Sequence, residues 1–507
     1  MSDRNARQKS EFFVVPQPHA AAASSSATPS GAVSAEGRAA RDTGGRTHTR
    51  EEPSQERKNR DREAFLGDIW DHLGPTQVPT HQERIATLAR QMPDKQLTAL
   101  CRYLDEDWLL TACARTRQDG AVGIDRETWA DFAVNISERL TSLCDRAHNG
   151  RYWAPPVRRA YIPKGTGTET RPIGIPTFED KVLQRAVVML LEPIYEGMFH
   201  EGSFGFRPGR GAHQAIDALR NWLIRHGGGW VVEVDIRKFF DTLDHKHLRE
   251  FVQRRVGDGV VLRLIGKWLN AGVMEDDSLT YPSEGSPQGG VISPLLANIY
   301  LHYVLDDWFE TEVKPRLRGK ATLIRYADDF VIACTHECDA TTLFAELPRR
   351  FAEFGLTVHE TKSRLVRFTR PRPHQPSPET FELLGFTWYW GQTRYGSWTV
   401  KTKTASSRLS RALTKIADWC KRHRHDPILE QSAKLSQKLR GHYAYYGRPG
   451  NYDCLSQFYQ GVQRSWHQWL CRRSWKAYIP WATFHSRLLP QHPLPLPRIL
   501  TRFAAPL

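Results

Sequence analysis

The chain has 507 residues, with 71 Lys and Arg against 56 Asp and Glu, a formal charge of +15 with histidine neutral. Hydrophobic residues make up 40% and charged residues 25%, which excludes a wholly disordered or collagen-like chain, and the length allows about three domains. No run of about 18 apolar residues occurs and the start MSDRNARQKSEFF lacks the apolar centre of a secretory signal, so a cytoplasmic protein with no membrane partner is expected.

Residues 1–62 are rich in Ala, Ser, Thr, Gly and Arg with almost no bulky apolar periodicity, and read as a disordered low-complexity tail. Asp3, Glu11 and the mixed run EEPSQERKNRDRE favour a plain linker over an organellar transit peptide. From 63 to 150 the spacing of Ile85, Leu88, Leu97, Leu100, Leu104, Leu109 and Leu110 is helical. RYWAPPVRRAYIPKGTGTETRPIGIPT then predicts two strands joined by a turn, and 179–199 predicts a helix. WVVEVD and LIRYADDFVIAC are β-type runs, with helical stretches near 245–270 and 293–310. This order indicates an α+β domain rather than a regular βαβ repeat.

The eight cysteines contain no CxxC pair, so neither a disulfide framework nor a zinc knuckle is expected; Cys334-Thr-His336-Glu-Cys338 reads as a strand end. After FELLGFTWYW and a Gly-rich turn, residues 405–475 return to helical spacing. Residues 401–507 hold 19 Lys and Arg but only four Asp and Glu, which is the whole excess charge of the chain, interleaved with Trp419, Trp466, Trp469, Trp475 and Trp481. Such a segment predicts a polyanion partner, above all nucleic acid.

Two carboxylate settings carry chemistry. In Leu323-Ile-Arg-Tyr-Ala-Asp328-Asp329-Phe-Val-Ile-Ala333, two apolar β runs flank an adjacent aspartate pair at a tight hairpin. Abutting like charges costs several kcal/mol unless a cation neutralises them. Trp230-Val-Val-Glu-Val-Asp235 is a second apolar strand ending in aspartate. Facing strand ends of this kind suit a pair of Mg²⁺ ions roughly 3.5–4 Å apart, which activate a 3′-hydroxyl and stabilise leaving pyrophosphate in nucleotidyl transfer. Asp235 and Asp328 are expected to ligate metal directly, with Asp329 beside them, and Mn²⁺ is an expected substitute.

Tyr326-Ala-Asp-Asp329 and Asp235-Ile-Arg-Lys-Phe-Phe-Asp241 resemble the palm of reverse transcriptases. Other blocks follow in order: Ile162-Pro-Lys164 and Arg171-Pro-Ile-Gly-Ile-Pro176 resemble the fingers hairpin, Ser203-Phe-Gly-Phe-Arg-Pro-Gly-Arg210 the next segment, and Gly285-Ser-Pro-Gln288-Gly-Gly290 with Ile292-Ser-Pro294 the template-contact block. Gly355-Leu356 through Lys362 and Leu384-Gly-Phe386 resemble the last palm motifs. SFGFRPGRGAHQAI, SPQGGVISPLLANIYLHYVLD and LRGHYAYYGRPGN, with Trp466 and Leu470-Cys-Arg-Arg-Ser474, resemble the proteins encoded by bacterial group II introns. Arg126, in Gly123-Ile-Asp-Arg-Glu-Thr128, stands where that family usually has glycine.

The resemblance implies an α+β right-hand polymerase: a helical extension and the start of the fingers over 63–150, fingers and palm over 151–395, a helical thumb or maturase domain over 400–475, and a short basic Pro-rich tail over 476–507. It implies an RNA-directed DNA polymerase whose partners are the parent intron RNA, an RNA template and DNA primer, dNTPs and target DNA, at the nucleoid when bound to that target. Lys164 and Arg171 suit a triphosphate as point charge and bidentate fork. Phe240 stands where the family blocks a ribose 2′-hydroxyl, with core packing the other reading for it and for Phe239. Gln288 is expected to hydrogen-bond template or nucleotide, and Lys362 either protonates pyrophosphate or is a surface lysine.

Arg408, Arg411, Lys415, Arg472 and Arg473 are expected among the phosphate contacts, and Tyr443, Tyr445 and Tyr446 either stack on bases or pack between thumb helices. The stretch after Lys476 is too short, and lacks the cysteines, for the HNH nuclease that some family members append, so second-strand cleavage by this chain is not expected. Two alternatives carry less of the sequence: a domesticated reverse transcriptase serving phage defence or RNA spacer acquisition, and an RNA-binding splicing factor without polymerase activity.

Overall fold

The computed structural model describes residues 77–163, 170–275, 278–281, 289–374 and 377–501. The expected tail over 1–62 lies outside them. Helices α1 (Val78–Gln91) and α2 (Glu106–Ala114) open the described chain, the second capped by the Asp105 carboxylate, which accepts from Trp108 N at 2.8 Å. α3 (Ile136–His148) follows a turn in which Arg126 adopts φ +60°. That left-handed conformation costs a side-chain-bearing residue about 1 kcal/mol and glycine nothing. Arg126→Gly should therefore raise the denaturant midpoint, with a gain of roughly 0.5–1 kcal/mol at unchanged m-value, while Arg126→Ala gains nothing.

β1 (Val157–Pro163) and β2 (Thr170–Ile175) form the expected antiparallel hairpin, from Arg158 opposite Ile175 to Pro163 opposite Thr170. α4 (Phe178–Glu196) is apolar nearly all round and is buried accordingly, from Val182 to Tyr195. Next come α5 (Ala212–Arg225) and β3 (Gly228–Val234), then α6 (His245–Gln253) and α7 (Gly259–Leu269), capped by Asp244 and Asp258. β4 (Val273–Glu275) and β5 (Ser278–Thr280) extend the first hairpin into a sheet ordered β2-β1-β4-β5.

α8 (Ser293–Leu301) runs on through wider π-type turns at His302–Asp306 and Phe309–Val313. β6 (Ala321–Tyr326), β7 (Asp329–Cys334), α9 (Glu337–Ala352) and β8 (Arg364–Thr369) complete a second sheet ordered β6-β7-β3-β8, all antiparallel. β3 lies inside this sheet with Val231, Val232 and Val234 fully buried, which is why its sequence is a continuous apolar run rather than an alternation. β9 (Phe381–Leu383), β10 (Phe386–Gln392) and β11 (Trp398–Thr404) make a third sheet whose Phe381, Trp388 and Val400 pack with α5 behind the second.

α10 (Ser406–Arg422), α11 (Ile428–Tyr446) and α12 (Tyr452–Leu470) form a separate apolar cluster around Leu435, Leu439, Leu455, Val462 and Trp466. Within the stretch expected as a short basic Pro-rich tail, Phe484 and Leu494 are buried in the same cluster, and the amides of Leu500 and Thr501 donate to Gly447 O at 2.8 and 3.2 Å. Apolar residues at 484, 488, 489 and 494 supply buried area that a solvated tail would forgo.

Candidate active site

The β6–β7 hairpin closes with Tyr326 opposite Asp329, leaving a two-residue loop of Ala327 and Asp328. Ala327 takes φ +56°, the positive value that the first position of such a tight loop demands. On the neighbouring strand, Val234 faces Phe330, so Asp235 emerges one residue later at the same end of the sheet as Asp329. Asp235 is held from behind: its carbonyl accepts from His359 N at 2.8 Å, its amide donates to Ser363 Oγ at 3.2 Å, and its carboxylate lies 3.6 Å from Lys362 Nζ. Lys362 is thus no remote surface charge.

Asp328 keeps some exposed surface, but its Oδ1 is sealed from solvent without a hydrogen-bond partner. Burial, then the adjacent Asp329 charge, and more weakly Asp235, push its carboxyl up to about 7; Arg171 on β2 pulls the other way. Three acidic side chains with an orphaned inward oxygen form a site short of positive charge. Among the described residues no group of three or more His, Cys, Asp or Glu closes a metal cage by itself. A hard divalent ion such as Mg²⁺ needs none, since it uses one or two carboxylates and completes its shell with water and substrate phosphates. The donor set fits an ion of that class.

What holds the hairpin was not anticipated from sequence. Arg325, with 0% of its side chain exposed, sits immediately before Tyr326, the last residue of β6. Its Nε and Nη2 bind Asp306 at 2.7 and 2.5 Å, Nη2 also reaches Ser203 Oγ at 2.7 Å, and Nη1 reaches Asn298 Oδ1 at 2.9 Å and Ala327 O at 3.1 Å. Asn298 in turn donates to Gly205 O at 2.7 Å. Gly205 must be glycine, because a Cβ there would collide with the Ala327 backbone. Arg325 N donates to Gly202 O and Phe204 N to Arg325 O, laying the 202–204 segment along the outer edge of β6.

Other expected residues divide clearly. Phe239 is core, at 2% exposure, whereas Phe240 remains partly exposed beside it, the two rings 5.2 Å apart. Lys164 and Gln288 lie outside the described residues. Lys415 and Arg472 are exposed, Arg472 with its guanidinium 5.1 Å from the Trp469 ring, and Arg408 is half-buried. Arg411 is buried and so unable to meet a phosphate from solvent. Arg473 donates to Arg424 O and Asp426 O and clips the α10–α11 connection rather than standing free.

The tyrosines resolve in favour of packing. Tyr443 is buried with its hydroxyl donating to Pro495 O at 3.1 Å. Tyr445 donates to Leu384 O at 2.8 Å, stacks on Phe386, and its carbonyl lies 2.8 Å from His213 Nε2, so it bolts α11 to the sheets. Tyr446 packs on Phe386 at 5.2 Å. Exposed cations that the sequence did not single out are Lys434, Lys438 and Arg440 on α11 and Arg464 on α12; their signal was available, because they lie off the Gln431, Leu435, Leu439, Tyr443 stripe that helical period puts inside. Among the described residues no helix is long and apolar enough to cross a membrane.

A family model described as reverse transcriptase (RNA-dependent DNA polymerase) matches residues 162–388, which include Asp235, Asp306, Asp328 and Asp329. Protein YkfC of Escherichia coli K12 is 36% identical over 283 residues, half of this chain and 74% of that protein. The group II intron-encoded protein LtrA of Lactococcus lactis subsp. cremoris is 38% identical over 223 residues, 43% of this chain and only 37% of that protein. Nuclear intron maturase 2, mitochondrial, of Arabidopsis thaliana is 31% identical over 179 residues, 27% of this chain and 24% of that protein.

Proposed function

This chain belongs to the reverse transcriptases encoded by group II introns, and from that premise we propose that it is an Mg²⁺-dependent RNA-directed DNA polymerase that also binds its intron RNA, assists splicing and copies the intron into DNA. The observation that carries the reading is the meeting of Asp235, Asp328 and Asp329 at one sheet end, with one aspartate oxygen buried and unpartnered. In this assignment the sheet β6-β7-β3-β8 is the palm, the β1–β2 hairpin the fingers, and α10–α12 with the segment to 501 the thumb.

Bound at these carboxylates, divalent metal supplies Lewis acidity to the primer 3′-hydroxyl and neutralises charge on the triphosphate. Arg171 lies within electrostatic reach of Asp328 and would offer its guanidinium fork to the triphosphate oxygens. Lys362, paired with Asp235 at 3.6 Å, would give its proton to departing pyrophosphate. Phe240 presents an apolar edge against which a 2′-hydroxyl would be desolvated, so Phe240→Ala relaxes discrimination against ribonucleotides. Lys164 and Gln288 complete the nucleotide contacts, and Lys415, Arg472 and the exposed cations of α11 and α12 carry the RNA phosphates.

The test combines two assays on the full chain. Extension of a DNA primer on an RNA template should require Mg²⁺ and stop with EDTA; a protein that extends neither RNA- nor DNA-templated primers ends the polymerase reading. Sequencing the RNA that co-purifies with Asp328→Ala from the native host should return one structured RNA surrounding the coding region. A diverse RNA population would instead point to a domesticated enzyme.

A further inference from the structure

Away from the carboxylates, a cavity of about 520 Å³ opens at the root of the first sheet, where Pro156 enters β1 and α7 runs through Ala271 and Gly272 into β4. Its apolar floor includes Ala154, Leu262 and Ala271, and its rim carries Trp153 and Tyr281, 74% and 65% exposed. Two large exposed rings that line one apolar cavity make a contiguous patch, the kind of exposed apolar surface that marks an interaction site. The Tyr281 ring lies over Gly272, where an added Cβ would sit 3.1 Å from it. Glycine there lets the ring approach the backbone and form one edge of the cavity.

Three cations line the same cavity: Arg249, Arg263 and Lys267. Lys267 Nζ donates to Gly150 O at 2.7 Å and to Tyr152 O, which fixes it in the wall, while the exposed Arg263 donates by Nη2 to His148 O at 3.3 Å. Arg249 is exposed, its Nη2 3.4 Å from where a Cβ on Gly266 would stand. Gln253 and Asn270 add amides, and no carboxylate is among the described residues that line the cavity. None of the residues assigned to catalysis or nucleotide binding belongs to it.

We propose that this cavity is a second RNA site, taking an unstacked nucleotide of a folded RNA between Trp153 and Tyr281 while Arg249 and Arg263 bind its flanking phosphates. Rings, amides and cations without carboxylates match the three parts of a nucleotide: base face, base edge and phosphate. An acidic peptide would use the cations but leave the two rings and the amides without partners. The volume lies in the range of sites for ligands of nucleotide size. The inference rests on the polymerase reading only in supposing that the chain handles RNA.

The probe is a fluorescein-labelled 20-nucleotide single-stranded RNA containing 4-thiouridine, offered to the full chain with a dideoxy-terminated RNA–DNA primer duplex in excess. Under that saturation, ultraviolet cross-links should map to Trp153 or Tyr281. Replacing both, Trp153→Ala with Tyr281→Ala, should weaken affinity for the probe roughly tenfold or more while short-template primer extension stays within about twofold. Arg249→Gln, which leaves the apolar floor untouched, should weaken it less and flatten its salt dependence.

Unchanged affinity in both variants, or cross-links that vanish when the duplex is added, overturns the second site. So does displacement of the probe from the cavity by poly-glutamate with higher affinity than by RNA, which would make the surface an acidic partner's dock. Loss of primer extension in the unsubstituted protein condemns the polymerase reading instead, and leaves the cross-link result to be judged by itself.

Discussion

Asp328→Ala is expected to abolish primer extension, by about 10³-fold or more, because it removes several kcal/mol of charge stabilisation at the reacting phosphate. RNA binding should survive, since Asp328 is remote in sequence from the cations of α10–α12 and contributes no positive charge. The same carboxylate has a signature in stability. Its folded value is raised to about 7 from an ordinary 3.8, so the folded state holds a proton that the unfolded state releases earlier. The stability this proton confers is present below about pH 4 and disappears as pH climbs to about 7. Relative to Asp328→Asn, the metal-free protein should therefore lose about 2–4 kcal/mol across that window. Divalent metal should restore it, read as a thermal shift absent from the Asn variant. A parallel pH profile for both proteins would show that Asp328 does not titrate in the buried setting described.

Asp306→Ala should cost about 3–5 kcal/mol, because it strands the wholly buried Arg325 guanidinium. That is a large part of the net stability of an ordinary domain. Denaturant unfolding reads the loss directly. The informative companion is Arg325→Met with Asp306→Leu, which removes both charges and should regain most of the stability. It should still extend primers poorly, because Ser203, Asn298 and Ala327 O lose the donor that ties them to the hairpin. A double variant that is both stable and fully active would reduce the network to packing and remove its positioning role.

The candidate carboxylate site was legible because its chemistry is local. Apolar strands ending in Asp235 and in Asp328-Asp329 declare their burial by composition, and a carboxylate pair between such strands needs a cation whatever the surrounding fold. The hairpin from Arg158 to Ile175 and the helices of the C-terminal third were equally plain from periodicity. Arg325 was not, since its partners come from the 202–204 segment and from two places along α8 and its π-type continuation, and their meeting depends on tertiary packing. Charge and aromatic counts also left the direction of the C-terminal side chains open. They establish that the region is basic, but Arg411, Tyr443 and Tyr445 face inward, and composition carries no direction. The spacing of Leu435, Leu439 and Tyr443 did carry one, and marks the stripe that α11 buries.

The buried pair also bears on how this sequence can drift. Replacing either Arg325 or Asp306 by any neutral residue passes through an intermediate with one stranded charge in the core, while changing both at once restores balance. Descendants of this chain should therefore keep the two together or exchange them together for apolar residues, and Gly205 should change only when the residue at 327 moves its backbone aside. Lineages that shed polymerase activity but keep an RNA-handling role would be released from the carboxylates long before they were released from this pair.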